Sequence, residues 1–170
     1  ATVRATVAQV ADRWLRERIQ VTRAEESAIK ARTRVRLYLV PFLGHKLIGK
    51  LTREDLWAYR RWLDQHDREP SPQSVHHMLT DARCLLRWCE DVGILDRHPF
   101  PRGIMPRLQE RPPDRLWPDE VAAILRVPEP YGFVVRPGLG TGLRWGEMTR
   151  AQASDVQNGV LVVHHTKSRK

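Results

Sequence analysis

The chain is poor in cysteine and has no long apolar run. Its 170 residues contain two cysteines, Cys84 and Cys89, five positions apart and so on different faces of any helix that carries both. That excludes a disulfide framework and a zinc cage, and the pair reads as reduced thiols of a cytoplasmic protein. No apolar stretch approaches the roughly 18 residues that a membrane span needs, and the first residues lack the apolar core of a secretory leader. A soluble intracellular protein with no membrane partner is expected. There is no Walker loop, no Gly-x-Gly-x-x-Gly, no Gly-x-Ser-x-Gly elbow and no plausible acid pair, so nucleotide hydrolysis and metal-hydrolase chemistry lack support. His76-His77 and His164-His165 make no metal site. Adjacent side chains on a helix point about 100° apart, and those on a strand face opposite ways. No metal and no cofactor is implied.

What the chain has is positive charge. It carries 29 Lys and Arg against 20 Asp and Glu, a formal charge of +9 and a pI near 10.4, while 41% of its residues are hydrophobic. This is enough apolar content for one sizeable core or two small ones. The excess cation points to a polyanionic partner, with a solvated basic surface as the alternative. Only the positions of the charges can separate these readings.

From Thr6 onward, Val7, Val10, Ala11, Trp14, Leu15 and Ile19 recur at helical spacing, with charged residues on the other face. Thr22-Arg23-Ala24-Glu25 reads as a capping box opening a second helix to about Val40, stopped by Pro41 and Gly44. Thr52-Arg53-Glu54-Asp55 starts a third helix, which turns Leu56, Tyr59, Trp62 and Leu63 inward. Ser71-Pro72 starts a fourth whose apolar stripe runs from Val75 to Val92 and ends at Gly93. These helices predict a bundle over residues 1–95. Pro99, Pro101, Pro106, Pro112 and Pro113 then interrupt both helix and strand, which predicts a semi-rigid, extended linker over 96–115. Beyond it, Asp119 to Val127 and Leu143 to Ala153 read as helices, separated by a Pro137-Gly138 break. Val160 to His165 reads as a strand after an Asn158-Gly159 hairpin turn.

Two helix faces are candidates for DNA contact. On the second helix, Lys30 with Arg34 and Arg32 with Arg36 form outward strips beside an inward stripe of Ala28, Ala31, Val35, Tyr38 and Leu39. Like charges four apart repel by a few tenths of a kcal/mol, roughly, and a bound anion would relieve that. On the fourth, His76, Thr80, Arg83 and Arg87 combine hydrogen-bonding and cationic groups suited to phosphate and groove edges. An ordinary solvated face is the alternative for either helix alone. A third constellation is Arg144, near Gly140 and Gly142 and one turn before Glu147. Its guanidinium suits a fork grip on phosphate oxygens; a structural Arg-Glu pair is the alternative.

The Thr-Gly-Leu-Arg-x-x-Glu pattern at Thr141 to Glu147 resembles the signature around the first catalytic arginine of the tyrosine recombinase (phage integrase) family. Asp155-Val156, the Asn158-Gly159 turn, Val160 to His165 and Thr166-Lys167-Ser168-Arg169-Lys170 look like that family's small sheet and lysine-bearing hairpin. Phe42-Leu43-Gly44, Leu47-Ile48 and Leu51-Thr52-x-x-Asp55-Leu56 look like its core-binding domain, and Leu116 to Leu125 like the first catalytic-domain helix. The resemblance implies a mainly α chain: a four-helix SAM-like core-binding bundle, the proline-rich linker, and over 116–170 the N-terminal part of an α+β catalytic domain. It implies that Arg144 binds the scissile phosphate, that Lys167 protonates the leaving 5′-oxygen and that Glu147 supports Arg144 from behind. It also implies double-stranded DNA as partner and a parent that works as a tetramer on paired sites.

In that family a tyrosine following the lysine hairpin attacks the phosphate and forms a 3′-phosphotyrosyl intermediate. Here Tyr38, Tyr59 and Tyr131 all precede Arg144, and the sequence stops at Lys170. The expectation is therefore a fragment that binds duplex DNA without cleaving it alone. A non-catalytic architectural or regulatory DNA-binding protein of the same fold is the nearest alternative, and a helical adaptor for an acidic protein is another.

Overall fold

A computed structural model describes residues 4–109 and 114–164, and the fold is mainly helical. The chain divides into two compact units, Ala1–Glu110 and Arg111–Lys170.

In the first unit, helix α1 covers residues 7–22 and α2 covers 25–43, while α3 is Arg53–Asp64 and α4 is Pro72–Asp91. Helix α1 begins where Thr6 and Gln9 cap each other. Its start is tied to the loop after α2, with Val7 N–H donating to the Lys46 carbonyl at 2.8 Å and Ile48 N–H to that of Ala5 at 3.0 Å. Thr52 and Asp55 form the expected reciprocal cap of α3. Burial alone would raise the Asp55 carboxyl, but the Thr52 amide, Lys46 and the Thr52 hydroxyl together hold it below the usual carboxylate range. At the other end of α4, Gly93 N–H reaches the Glu90 carbonyl and Ile94 N–H that of Cys89, the paired bonds of a Schellman stop. Val92, expected on the apolar stripe, is 45% exposed because it lies past the last full turn.

Two expectations at the ends of α2 are corrected. The Thr22-Glu25 capping box does not form, because an N-cap must be extended and Thr22 is still helical, its hydroxyl donating to the Arg18 carbonyl at 2.7 Å. The chain breaks at Arg23 instead (φ −111°, ψ 148°), and α2 starts at Glu25 with no side-chain cap. Nor does Pro41 stop α2, which continues to Leu43. Proline clashes with the carbonyl four residues back and lacks an N–H for it. The preceding turn is widened, with Val40 N–H donating five residues back to Val35, and this lets the proline through. Gly44 closes the helix, donating to Val40 at 2.8 Å.

All these elements feed one core. Trp14, Tyr59, Leu43, Ile48, Leu56, Leu63, Leu79, Leu85 and Leu86 are among its fully buried members. Burial pushes the Tyr59 phenol far up, so it stays neutral there. Ile104 is also in the core, with Phe100 and Met105 packed against it. The segment expected as an extended linker from residue 96 is thus anchored to the bundle, because three apolar side chains among its prolines find a place to be buried.

In the second unit, α5 is Pro118–Leu125, α6 is Tyr131–Thr141 and α7 is Trp145–Met148, followed by β1 (Val156–Gln157) and β2 (Val160–Leu161). The hairpin has the expected two-residue turn, with Asn158 (φ 52°) and Gly159 (φ 76°) both left-handed. This turn matches strand twist and pairs Gln157 with Val160 and Val156 with Leu161. The expected longer strand is cut to Val160–Leu161, and His165 lies outside the described residues. The helix expected from Leu143 to Ala153 shrinks to the single turn α7, because Arg144 and Gln152 are both extended and each starts a new capped turn. Conversely, α6 runs through Pro137-Gly138, where a break was expected. Its proline is inside the helix, and Thr141 Oγ1 donates to the Pro137 carbonyl at 2.6 Å.

Among the described residues of the second unit, Gly132 alone is buried, while Trp117, Tyr131, Phe133 and Trp145 are exposed. With so little apolar area removed from water, its helices rest on local hydrogen bonds. Amide exchange should therefore be faster across 114–164 than in α3 and α4, and equal protection in the two regions would contradict this. Replacing Leu79 by alanine should cost about 2–5 kcal/mol in chemical denaturation of the first unit.

Candidate nucleic-acid interface and the Arg144 turn

The basic face of α2 is narrower than expected. Lys30 and Arg36 are exposed and Arg32 is half-buried, but Arg34 turns inward, its Nε 2.6 Å from Asp81 Oδ2 on α4. At about 100° per residue, Arg34 lies roughly 60° from the buried Ala31, on the flank that meets α4. Asp81 is only 3% exposed and also faces Arg23 Nη1 at 3.4 Å. Arg34 is thus corrected from an outward DNA contact to one arm of a largely buried ion-pair triad. Asp81 was not singled out in the sequence, although an acid on the buried flank of an apolar helix demands a cationic partner.

On α4, Arg87 is exposed, whereas His76, Thr80 and Arg83 are half-buried. The Thr80 hydroxyl is already donated to the His76 carbonyl at 2.8 Å, and His76 Nδ1 is buried with no partner among the described residues. Arg87 lines a surface cavity of about 320 Å³ together with Arg18, Arg23, Cys84 and Asp91. With Arg23 also facing the buried Asp81, the guanidiniums of Arg18 and Arg87 still outnumber the one acid that lines the cavity, Asp91, which makes a concave anion-attracting site, and Arg18 and Arg23 are members that helix-face reading missed. Their signal was present in the Arg16-Glu17-Arg18 run and in Arg23, but only the packing of α1 against α4 places them beside Arg87. Cys89 is fully buried and its thiol is pushed up to about 11 by burial, which makes it unreactive.

In the second unit, Gly142 closes α6 in the left-handed region (φ 64°), which an L side chain adopts only at a cost. The chain then turns so that Arg144 caps α7. Glu147 makes both contacts of this turn, accepting the Arg144 N–H through Oε2 at 2.9 Å and the guanidinium Nη1 through Oε1 at 3.1 Å. The Arg144 amide, helped by the guanidinium, holds the Glu147 carboxyl below the usual carboxylate range despite burial acting the other way. The Arg144 side chain is 65% exposed and that of Glu147 only 10%. One guanidinium donor is therefore committed to Glu147 and the others face outward, a geometry able to grip an anion. No family model, curated protein or solved structure matches the chain. Lys167, the expected proton donor, lies outside the described residues, as do the other residues from 165 to 170.

Beside this turn, Glu147, Arg150, Asp155 and His164 line a cavity of about 240 Å³, in which His164 Nε2 lies 3.4 Å from Asp155 Oδ1. The sequence gives His164 no role as a metal ligand, and nothing in its spacing places it beside Glu147. The short hairpin brings them together.

Two outcomes test this geometry. Arg34→Ala should destabilise the first unit by about 2–3 kcal/mol, since it strips the shorter bond from a buried carboxylate. Urea unfolding checks this, and an unchanged midpoint would show that the triad is dispensable. Because the folded Glu147 pKa is depressed, its stabilisation of α7 is present above the ordinary glutamate value and lost as pH falls through the lower folded value. Exchange of the α7 amides should accelerate over that acid range in the unsubstituted chain and show no such step in Glu147→Gln.

Proposed function

We propose that this chain is the DNA-binding part of a site-specific recombinase of the tyrosine type: a SAM-like helical bundle followed by the opening elements of the catalytic domain. The observation that carries DNA binding is the set of cations on one helical unit. Lys30, Arg32 and Arg36 lie on α2, and Arg83 and Arg87 on α4, with Arg18 and Arg23 lining the cavity that holds Arg87. Such groups bind phosphate regardless of base sequence and release condensed counterions as they do so. The recombinase part rests on the Thr141 to Glu147 pattern and is supported by the guanidinium of Arg144, held through its Nη1 by Glu147 on a side chain that is 65% exposed. In the parent, Arg144 would stabilise charge developing on the scissile phosphate and Lys167 would protonate the leaving oxygen. The parent would act as a tetramer on DNA in the cytoplasm.

A non-catalytic DNA-binding protein is the second reading. It is favoured by the Arg144-Glu147 contact itself, which a purely structural cap would also make. Tyr59 cannot serve as the nucleophile of the recombinase reading, since it is buried.

Binding of a generic duplex should weaken with salt by a log-log slope of about −0.9 per phosphate contacted. Arg83→Ala with Arg87→Ala should reduce that slope by about 2, and Arg34→Ala should leave the slope unchanged. An affinity indifferent to salt would remove the basis for DNA binding. Incubation of the 170-residue chain with nicked or intact duplex should give no covalent adduct on a denaturing gel, and an adduct would overturn the assignment of the nucleophile.

A further inference from the structure

A second cationic cavity on the first unit, of about 730 Å³, is separate from the residues assigned above to duplex DNA. It is bounded by α3, the last turn of α4 and the loop that follows. From α3 come Arg53 and Trp57, four residues apart and so on one face. From the loop come Arg97, His98, Phe100 and Arg102. The loop wall is braced from behind. Glu90 accepts the His98 N–H at 3.3 Å and faces His98 Nε2 at 3.7 Å, while His98 Nδ1 accepts the Phe100 N–H at 3.3 Å. The cavity's one acid is therefore engaged with His98, and among the described residues Arg53, Arg97 and Arg102 form no ion pair.

The aromatic side is equally unusual for this unit. Trp14 and Trp88 are in the core and Trp62 packs against it, yet Trp57 is 39% exposed. A flat indole beside three unpaired guanidiniums offers a stacking face and an anion clamp at once. A simple phosphate would use only the arginines, and a neutral aromatic only the rings. The volume falls in the range of small-ligand sites, well above what a lone phosphate fills. We propose that this cavity binds a nucleotide, with the base stacked on Trp57 and the phosphates held by Arg53, Arg97 and Arg102. The nucleotide is either free in solution or the unpaired end of a DNA strand.

The test is calorimetric titration of the full chain with ADP, with adenosine and with pyrophosphate, alongside duplexes that are blunt or carry one unpaired 5′-nucleotide. For a free nucleotide, ADP binds saturably below about 1 mM, and adenosine and pyrophosphate bind at least tenfold more weakly. Trp57→Ala, and Arg97→Ala with Arg102→Ala, should each weaken ADP at least tenfold with unchanged helical circular dichroism. These side chains are exposed, so the core is left intact. If the nucleotide comes from a strand, the unpaired duplex binds better than the blunt one by a margin that Trp57→Ala abolishes. The proposal is overturned if no Trp57-dependent preference is found for ADP over pyrophosphate and adenosine, nor for the unpaired duplex over the blunt one. Arg83→Ala with Arg87→Ala should leave ADP binding unchanged, so loss of duplex binding and loss of nucleotide binding are separately readable.

Discussion

The first unit is organised around one carboxylate. Asp81 sits on α4 inside the protein and accepts from Arg23, at the break between α1 and α2, and from Arg34, eleven residues further on in α2. A buried carboxylate without partners is expensive enough that it would protonate or the packing would change. With two guanidiniums it becomes a tie that sets how α2 lies against α4. Removing a partner costs more than the pair contributes relative to an apolar replacement, so the tie acts chiefly by selecting one arrangement of the helices. It also divides the basic residues of the unit. Arg34 is consumed by the fold, whereas Lys30, Arg32, Arg36 and Arg87 remain at or near the surface.

The two units hold their candidate sites in different ways. In the first, cations are carried on helices whose opposite faces are deep in a common core, and even the proline-rich stretch is fastened by Ile104. Positions there are set by packing, which is stiff. In the second, Arg144 is positioned by Gly142, by the Glu147 carboxylate and by a single helical turn, with little buried apolar surface behind them. A site built that way is geometrically defined but cheaply opened, since it relies on a few exposed hydrogen bonds. The exposed Trp117, Phe133 and Trp145 fit the same picture of a unit whose apolar side chains have not been covered.

Helix existence was legible wherever a face repeated every three or four residues and a cap stood at its start, as at Thr6, Thr52 and Ser71. It failed where one local signal competed with another. Thr22 looked like a cap yet remained in the helix before it, and Pro41 looked like a stop yet was accommodated by a widened turn. In the second unit, Pro137-Gly138 argued for a break where α6 forms, and the long helix expected from Leu143 to Ala153 is only α7. The Arg144-Glu147 contact was legible because both partners lie within one turn. Arg18 and Arg23 beside Arg87 were not, because nothing in their spacing encodes which helices pack together.

By itself the sequence determined the charge, the helical periodicity, the Asn158-Gly159 turn and the local Arg144-Glu147 cap, all of which depend on residues within about one turn of each other. Only the tertiary structure decided which cations face water, that Arg34 belongs to Asp81, that Ile104 anchors the proline-rich segment, and that Trp57 meets Arg97 and Arg102 across a cavity. The reason is range. Backbone geometry fixes the direction of a side chain on its own element, but burial and ion pairing depend on the neighbour that packing brings, often from dozens of residues away.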